Sequence, residues 1–203
     1  MLSLLRAISR FAIKCLPVII MTAGSWSAAS AAASPGIHKK VYLLRGLTNV
    51  LSPGIDQLNE DLQRRNIDVT IANHAFSDSL ASEAIEGCKS GRIGSIVLVG
   101  HSLGGGAAVS MAKQLQRVGL RVALIVTIDP VVKTVVPGNV RLLKNFYLSS
   151  GVGTTVERGG HFHGMLQNVD MGKTEYGHVS LTTAPAIQSQ IMRDILSANS
   201  SCR

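Results

Sequence analysis

Aromatic side chains are scarce in this chain: Phe, Tyr and Trp together make up 4% of its 203 residues. The Lys and Arg residues are scattered singly or in pairs, with no stripe and no interleaved aromatics, so the stacking and phosphate-binding groove of a nucleic-acid protein is missing. Repeats are absent, as are low-complexity tracts beyond one Ala/Ser stretch near the start. With Gly and Pro at ordinary frequency, this excludes collagen-like, solenoid and disordered chains. No apolar run reaches the roughly 20 residues that a membrane-spanning helix wants. What the chain does have is 46% hydrophobic residues, apolar material for one buried core in a length too short for two comfortable domains.

Residues 1–33 carry the layout of a secretory signal. Arg6, Arg10 and Lys14 precede an apolar run from Cys15 to Ala23, and a small-residue tract follows that contains Ala31-Ala32-Ala33. The alternative, a membrane anchor, fits less well, because the apolar run is short and passes into Gly24, Ser25 and Ser27. Cleavage after Ala33 leaves 170 residues with 17 Lys and Arg against 12 Asp and Glu, a net charge of +5. That balance supports weak attraction to anionic surfaces and nothing stronger. An exported, periplasmic or secreted product is expected. Cys88 and Cys202 remain in it, either paired or as two free thiols, the second in a disordered end.

Within residues 34–203 the hydrophobic pattern alternates between strand and helix. Lys40–Leu44 is a short apolar run ending in Arg45-Gly46, a strand and a tight turn. Ser52-Pro53 opens a helix in which Ile55, Leu58 and Leu62 share a face, Ile67–Ala72 alternates as a strand, and Ser79–Ser90 is a second helix. Ile93–Val99 and Val122–Ile128 are buried-strand runs on either side of an Ala-rich helix, Leu103–Val118. Asn145–Leu148 is a fifth strand, Gly151–Gly164 a glycine-rich loop, and Thr183–Ala198 a closing helix with Ile187, Ile191 and Ile195 on one face. Such alternation predicts a single three-layer α/β domain with a mostly parallel central sheet covered on both faces.

Chemistry concentrates at Gly100-His101-Ser102-Leu103-Gly104, a G-x-S-x-G between a predicted strand and a predicted helix. The short motif alone is weak evidence. Its position is informative, because flanking glycines let the chain turn sharply, lift Ser102 Oγ above the sheet and leave the Leu103 amide free to donate to an oxyanion. A serine nucleophile needs a base, and the base an orienting carboxylate. Asp129, directly after the next strand, is the preferred acid; Asp170 is its rival, since it too follows a possible strand. His178, in the loop before the last helix, is the preferred base. His161 and His163 in the glycine-rich loop could substitute for it, but read as exposed loop residues, and an H-x-H pair without a third ligand is weak evidence for metal. His101 reads as packing at the turn, and His74 has no assigned role. The second oxyanion donor is expected from the Leu47 amide, in a loop that Gly46 opens to the substrate.

Gly100 to Gly104, Asp129-Pro130 after the following strand and His178 before the final helix together resemble the α/β-hydrolase superfamily, in its lipase and esterase-like branch. Ile128-Asp129-Pro130-Val131 is similar to lipases that carry the acid one strand after the nucleophile. Arg45-Gly46 departs from the His-Gly common in their first oxyanion loop. The resemblance implies acyl-ester hydrolysis through an acyl-Ser102 intermediate, on a small-molecule or lipid acyl ester, with no metal or organic cofactor. A thioesterase or acyltransferase with the same triad is an alternative, and a non-catalytic module that binds a lipid or a partner is another. The connections after Ser102 are too short for a multi-helix cap, so a minimal, lidless site acting on soluble short to medium esters is expected.

Overall fold

The computed structural model describes residues 38–47 and 51–203. The stretch read as a secretory signal, residues 1–33, lies outside the described residues.

The elements run β1 (Lys39–Arg45), α1 (Pro53–Arg64), β2 (Asp68–Asn73), α2 (Ser77–Ser90), β3 (Ser95–His101), α3 (Leu103–Arg117), β4 (Leu124–Ile128), β5 (Thr134–Val136), β6 (Leu142–Tyr147), β7 (Val156–Arg158), β8 (Met165–Asp170) and α4 (Pro185–Ser197). Single 3-10 turns stand at His74–Phe76 and Ser180–Thr183. Six strands form one sheet in the order β2-β1-β3-β4-β6-β8, with every pairing parallel. The chain steps outward from β1 to β2, then crosses back to lay β3 on the other side of β1. That reversal opens a crevice at the carboxyl ends of β1 and β3, where open α/β sheets place their sites.

Strands β3 and β4 are buried along their whole length, which is why they read as continuous apolar runs rather than as alternating ones. The period of two splits the side chains of β1 between faces. Tyr42 and Leu44 join Leu80, Ala84, Ala108, Met111 and Leu115 from α2 and α3. Val41 and Leu43 join Ile55, Leu58 and Leu62 of α1 and Ile187, Ile191 and Ile195 of α4. Each such fully buried aliphatic side chain contributes roughly 1.5–3 kcal/mol. The one-sided apolar faces predicted for α1 and α4 are therefore the faces that these helices bury. Helix α4 begins at Pro185, two residues later than the sequence suggests, because Ser180–Thr183 forms a 3-10 turn and proline suits the first helical position.

Two features depart from the sequence reading. The strand expected at Asn145–Leu148 is longer and earlier, Leu142–Tyr147. The loop expected at Gly151–Gly164 contains β7, which pairs in parallel with β5 as a separate two-stranded sheet. Val136, Val156 and Phe162 bury against the α3 side of the core. A small sheet thus covers the β4–β6–β8 half of that face, where a βαβ crossover ordinarily places a helix. No helix lies anywhere in residues 129–179.

The chain end is tied into the molecule. Cys88 at the end of α2 is disulfide-bonded to Cys202, with Cα atoms 6.3 Å apart, which resolves the two alternatives left open by the sequence. Arg203 Nε and a terminal nitrogen donate to the Cys88 carbonyl at 2.8 and 2.7 Å, adding to the bond that this carbonyl accepts from the Gly91 amide in the last turn of α2. Across the opposite face, Lys144 of β6 and Asp194 of α4 form a nearly buried ion pair at 2.6 Å.

Candidate active site

Ser102 stands at the carboxyl end of β3 as the residue before α3, with φ 58° and ψ −123°. A non-glycine residue in this region is held there at a cost of roughly 1–3 kcal/mol by the surrounding structure, here by Ser102 N donating to Ile128 O at 3.0 Å and Gly105 N donating to Ser102 O at 3.0 Å. The turn needs a bare backbone beside it: a Cβ at Gly104 would stand 2.1 Å from the Leu44 carbonyl oxygen. No side chain caps α3. Its first amides, that of Leu103 foremost, therefore point a partial positive charge at the space above Ser102.

Asp129 follows β4, one strand from β3, with φ 43° and a fully buried side chain. Its Oδ1 accepts from the Leu148 amide at 2.8 Å, and its Oδ2 lies 2.7 Å from His178 Nδ1. His178 Nδ1 therefore carries a hydrogen toward the carboxylate and Nε2 is the nitrogen able to accept a proton. Asp170 takes no part in this pairing. Its Oδ1 accepts from the amides of Gly172 and Ser149 at 2.8 and 3.2 Å, and these bonds hold its carboxyl below the usual carboxylate range. It ends the edge strand β8, three strand spacings or about 14 Å from β3, whereas Asp129 is the nearer acid by strand order. His161 and His163 are exposed.

Gly46 lies against Ser102: a Cβ there would stand 3.0 Å from Ser102 Cβ and 3.3 Å from Ser102 Oγ. Leu47 follows it, 72% exposed at the crevice. Around this loop are polar partners that the sequence did not reveal. The Gly46 carbonyl accepts from Asn73 Nδ2 and from His74 Nδ1, each at 2.9 Å. Ser52 precedes α1 but caps nothing with its side chain; its Oγ instead meets His101 Nδ1 at 2.8 Å and the Gly46 amide at 3.4 Å. His101 is buried, and its Nε2 meets the His178 carbonyl oxygen at 3.0 Å. Apart from Gly46 and Ser52, six positions apart, these partners lie 27 to 77 positions apart, so no local spacing could have announced them. Among the described residues no group of three or more His, Cys, Asp or Glu is arranged to hold a metal ion.

No protein-family model and no curated protein matches this chain. Its fold has counterparts among solved structures. A cutinase-like protein from Cryptococcus sp. superposes with a TM-score of 0.51 at 13% identity, covering 84% of this chain and 100% of that one. The RedJ thioesterase of the prodiginine biosynthetic pathway of Streptomyces coelicolor gives 0.46 at 10% identity, over 84% and 98%. The first of these likenesses is one of fold: with a six-stranded parallel sheet flanked by helices on both faces, the chain has an α/β-hydrolase-like fold.

Proposed function

We propose that this protein is a serine hydrolase that cleaves carboxylic esters through a covalent acyl-Ser102 intermediate. The observation that carries the reading is the 2.7 Å bond between His178 Nδ1 and the fully buried Asp129 carboxylate, in loops at the same sheet edge as the strained Ser102 turn. In the mechanism, Asp129 fixes the His178 tautomer. His178 Nε2 takes the Ser102 hydroxyl proton as Oγ attacks the acyl carbon. The amides of Leu103 and Leu47 donate to the oxyanion, and His178 returns the proton to the leaving alkoxide. Water then attacks the acyl-enzyme by the same route in reverse. The chemistry as written calls for no metal and no organic cofactor.

Apolar side chains exposed on the loops that follow β1, β2, β4 and β6, namely Leu47, Phe76, Val132 and Val152, support an apolar acyl group. The helix-free segment 129–179 supports an open site that accepts soluble short to medium acyl esters. The Cys88–Cys202 bridge supports export to an oxidising compartment, where such bonds persist.

The test is hydrolysis of p-nitrophenyl esters together with labelling by a fluorophosphonate. Ser102→Ala is expected to lose several orders of magnitude in kcat and all labelling while remaining folded, with Asp129→Asn and His178→Ala severely impaired and Asp170→Asn within a few-fold of wild type. Activity of Ser102→Ala within tenfold of wild type refutes the nucleophile, and a more damaging Asp170→Asn refutes the acid. A wild-type protein that neither turns over esters nor takes the label is a binding module.

A further inference from the structure

Two imidazoles lie side by side at this site, and one of them has no carboxylate partner. His101, the residue before Ser102, is 1% exposed, and its ring centroid lies 4.7 Å from that of His178. Its partners fix its tautomer. The main-chain oxygen of His178, 3.0 Å from Nε2, can only accept, so Nε2 bears the hydrogen; a neutral imidazole has one N–H, which leaves Nδ1 to accept from the Ser52 hydroxyl at 2.8 Å. The Ser52 oxygen is left as acceptor toward the Gly46 amide, 3.4 Å away. The bonds therefore run in one direction: Gly46 N–H to Ser52, Ser52 O–H to His101, His101 N–H to the His178 carbonyl. They join the loop after β1, the turn after β3 and the loop before α4, three segments with no contact in sequence.

We propose that His101 is a positioning residue, which sets the loop of His178 and the loop of Gly46 against Ser102 through this directed chain and takes no proton in the reaction. Its kinetic consequence rests on the ester-hydrolase reading above; the hydrogen-bond arrangement does not. Burial first, and the neighbouring His178 second, push His101 down to about 4, against a smaller upward pull from its bond to the His178 backbone and from Asp129. At neutral pH a single imidazole is then left to receive the Ser102 proton, and both bonds of His101 stay intact.

A packing role and a positioning role differ in what rescues them. His101→Phe keeps the ring volume but leaves the Ser52 hydroxyl and the His178 carbonyl without partners. In His101→Gln the side-chain amide nitrogen reaches the place of Nε2 and restores the donor. With p-nitrophenyl butyrate at pH 7.5, His101→Phe is expected to lose roughly 100-fold in kcat, the scale of a misplaced catalytic group, with KM little changed, and His101→Gln to recover most of that loss. Ser52→Ala, which removes one link only, is expected between them. A folded His101→Phe with kcat within threefold of wild type overturns the proposal, as does a His101→Gln no better than His101→Phe. Should His101→Phe fail to fold, imidazole nitrogen NMR of the wild-type protein decides: a neutral Nε2–H tautomer of His101 at pH 6 supports the chain of bonds, and an Nδ1–H or protonated ring overturns it. Wild-type protein inactive on every ester tried defeats the hydrolase reading, while the NMR result still judges the bond arrangement.

Discussion

Asp129 and His101 are fully or nearly fully buried polar groups of the candidate site, and each is buried with its partners supplied. Asp129 offers one oxygen to an amide and the other to an imidazole, so its desolvation is offset by two charge-assisted bonds. His101 is buried as a neutral ring between two neutral partners, and for it the cost falls on the charged form. Its ordinary value of 6.5 is lowered to about 4. In the intervening pH range the unfolded chain holds a proton at this position that the native chain does not. Its contribution to stability is therefore full above the unfolded value, falls as pH drops through the window, and levels off near the folded value. A shift of this size corresponds to roughly 3 kcal/mol over the whole window. Urea unfolding between pH 7 and pH 4 is expected to show this loss in wild type and a correspondingly shallower slope in His101→Gln. Equal slopes in the two proteins would contradict it.

At the scale of elements, what could be read in the sequence was whatever had a local signature. The continuous apolar runs of β1, β3 and β4, the spacings of three and four in α1 and of four in α4, and the glycines around Ser102 all state their environment within a few residues. Strands β5 and β7 do not, since Thr134-Val135-Val136 and Val156-Glu157-Arg158 are three residues each and pair across 22 positions. The full strand order was equally silent: Asp129 follows β4 and Asp170 ends β8, and the places of those strands in the sheet, with the burial of Asp129, leave only Asp129 paired with His178. The polar side chains that hold β7 in place show why such a piece can still be stable. Asn168 of β8 accepts from the Val156 amide and donates to the Val156 carbonyl, each at 3.0 Å, and also accepts from Asn145 Nδ2 at 2.9 Å. It thus stands in for a neighbouring strand's backbone. Asn168→Ala is expected to cost about 1–2 kcal/mol, little enough because water reaches this edge. Hydrogen exchange at the Val156 amide should quicken sharply, and exchange in β3 should not. Uniform acceleration across the sheet would mean that β7 does not open by itself.

At the scale of the whole molecule, the Cys88–Cys202 bridge closes a separation of 114 positions. A loop of that length restricts the unfolded chain by about 4–5 kcal/mol in the chain-entropy model, and native bridges measure nearer 2–4. Reduction without denaturant, or Cys202→Ser, is expected to lower the unfolding free energy by 2–4 kcal/mol and to leave ester hydrolysis at 25 °C unchanged, since the bridge lies at the amino edge of the sheet, beside Gly94 and Arg121. A change below 0.5 kcal/mol would mean that Arg203 and the core secure this end without it.

The same bridge decides what a broken chain would be. The turn at residues 149–152 is exposed and lies between β6 and β8, inside the covalent ring. A protease that cuts there leaves Ser102 and Asp129 on one piece and His178 on the other. Oxidised, the two pieces remain a single molecule, joined by the cystine and also by the pairing of β6 with β8 and the Lys144–Asp194 contact. On a gel without reductant the nick is invisible. In a reducing compartment the same cut leaves two separable polypeptides, with Ser102 and Asp129 parted from His178.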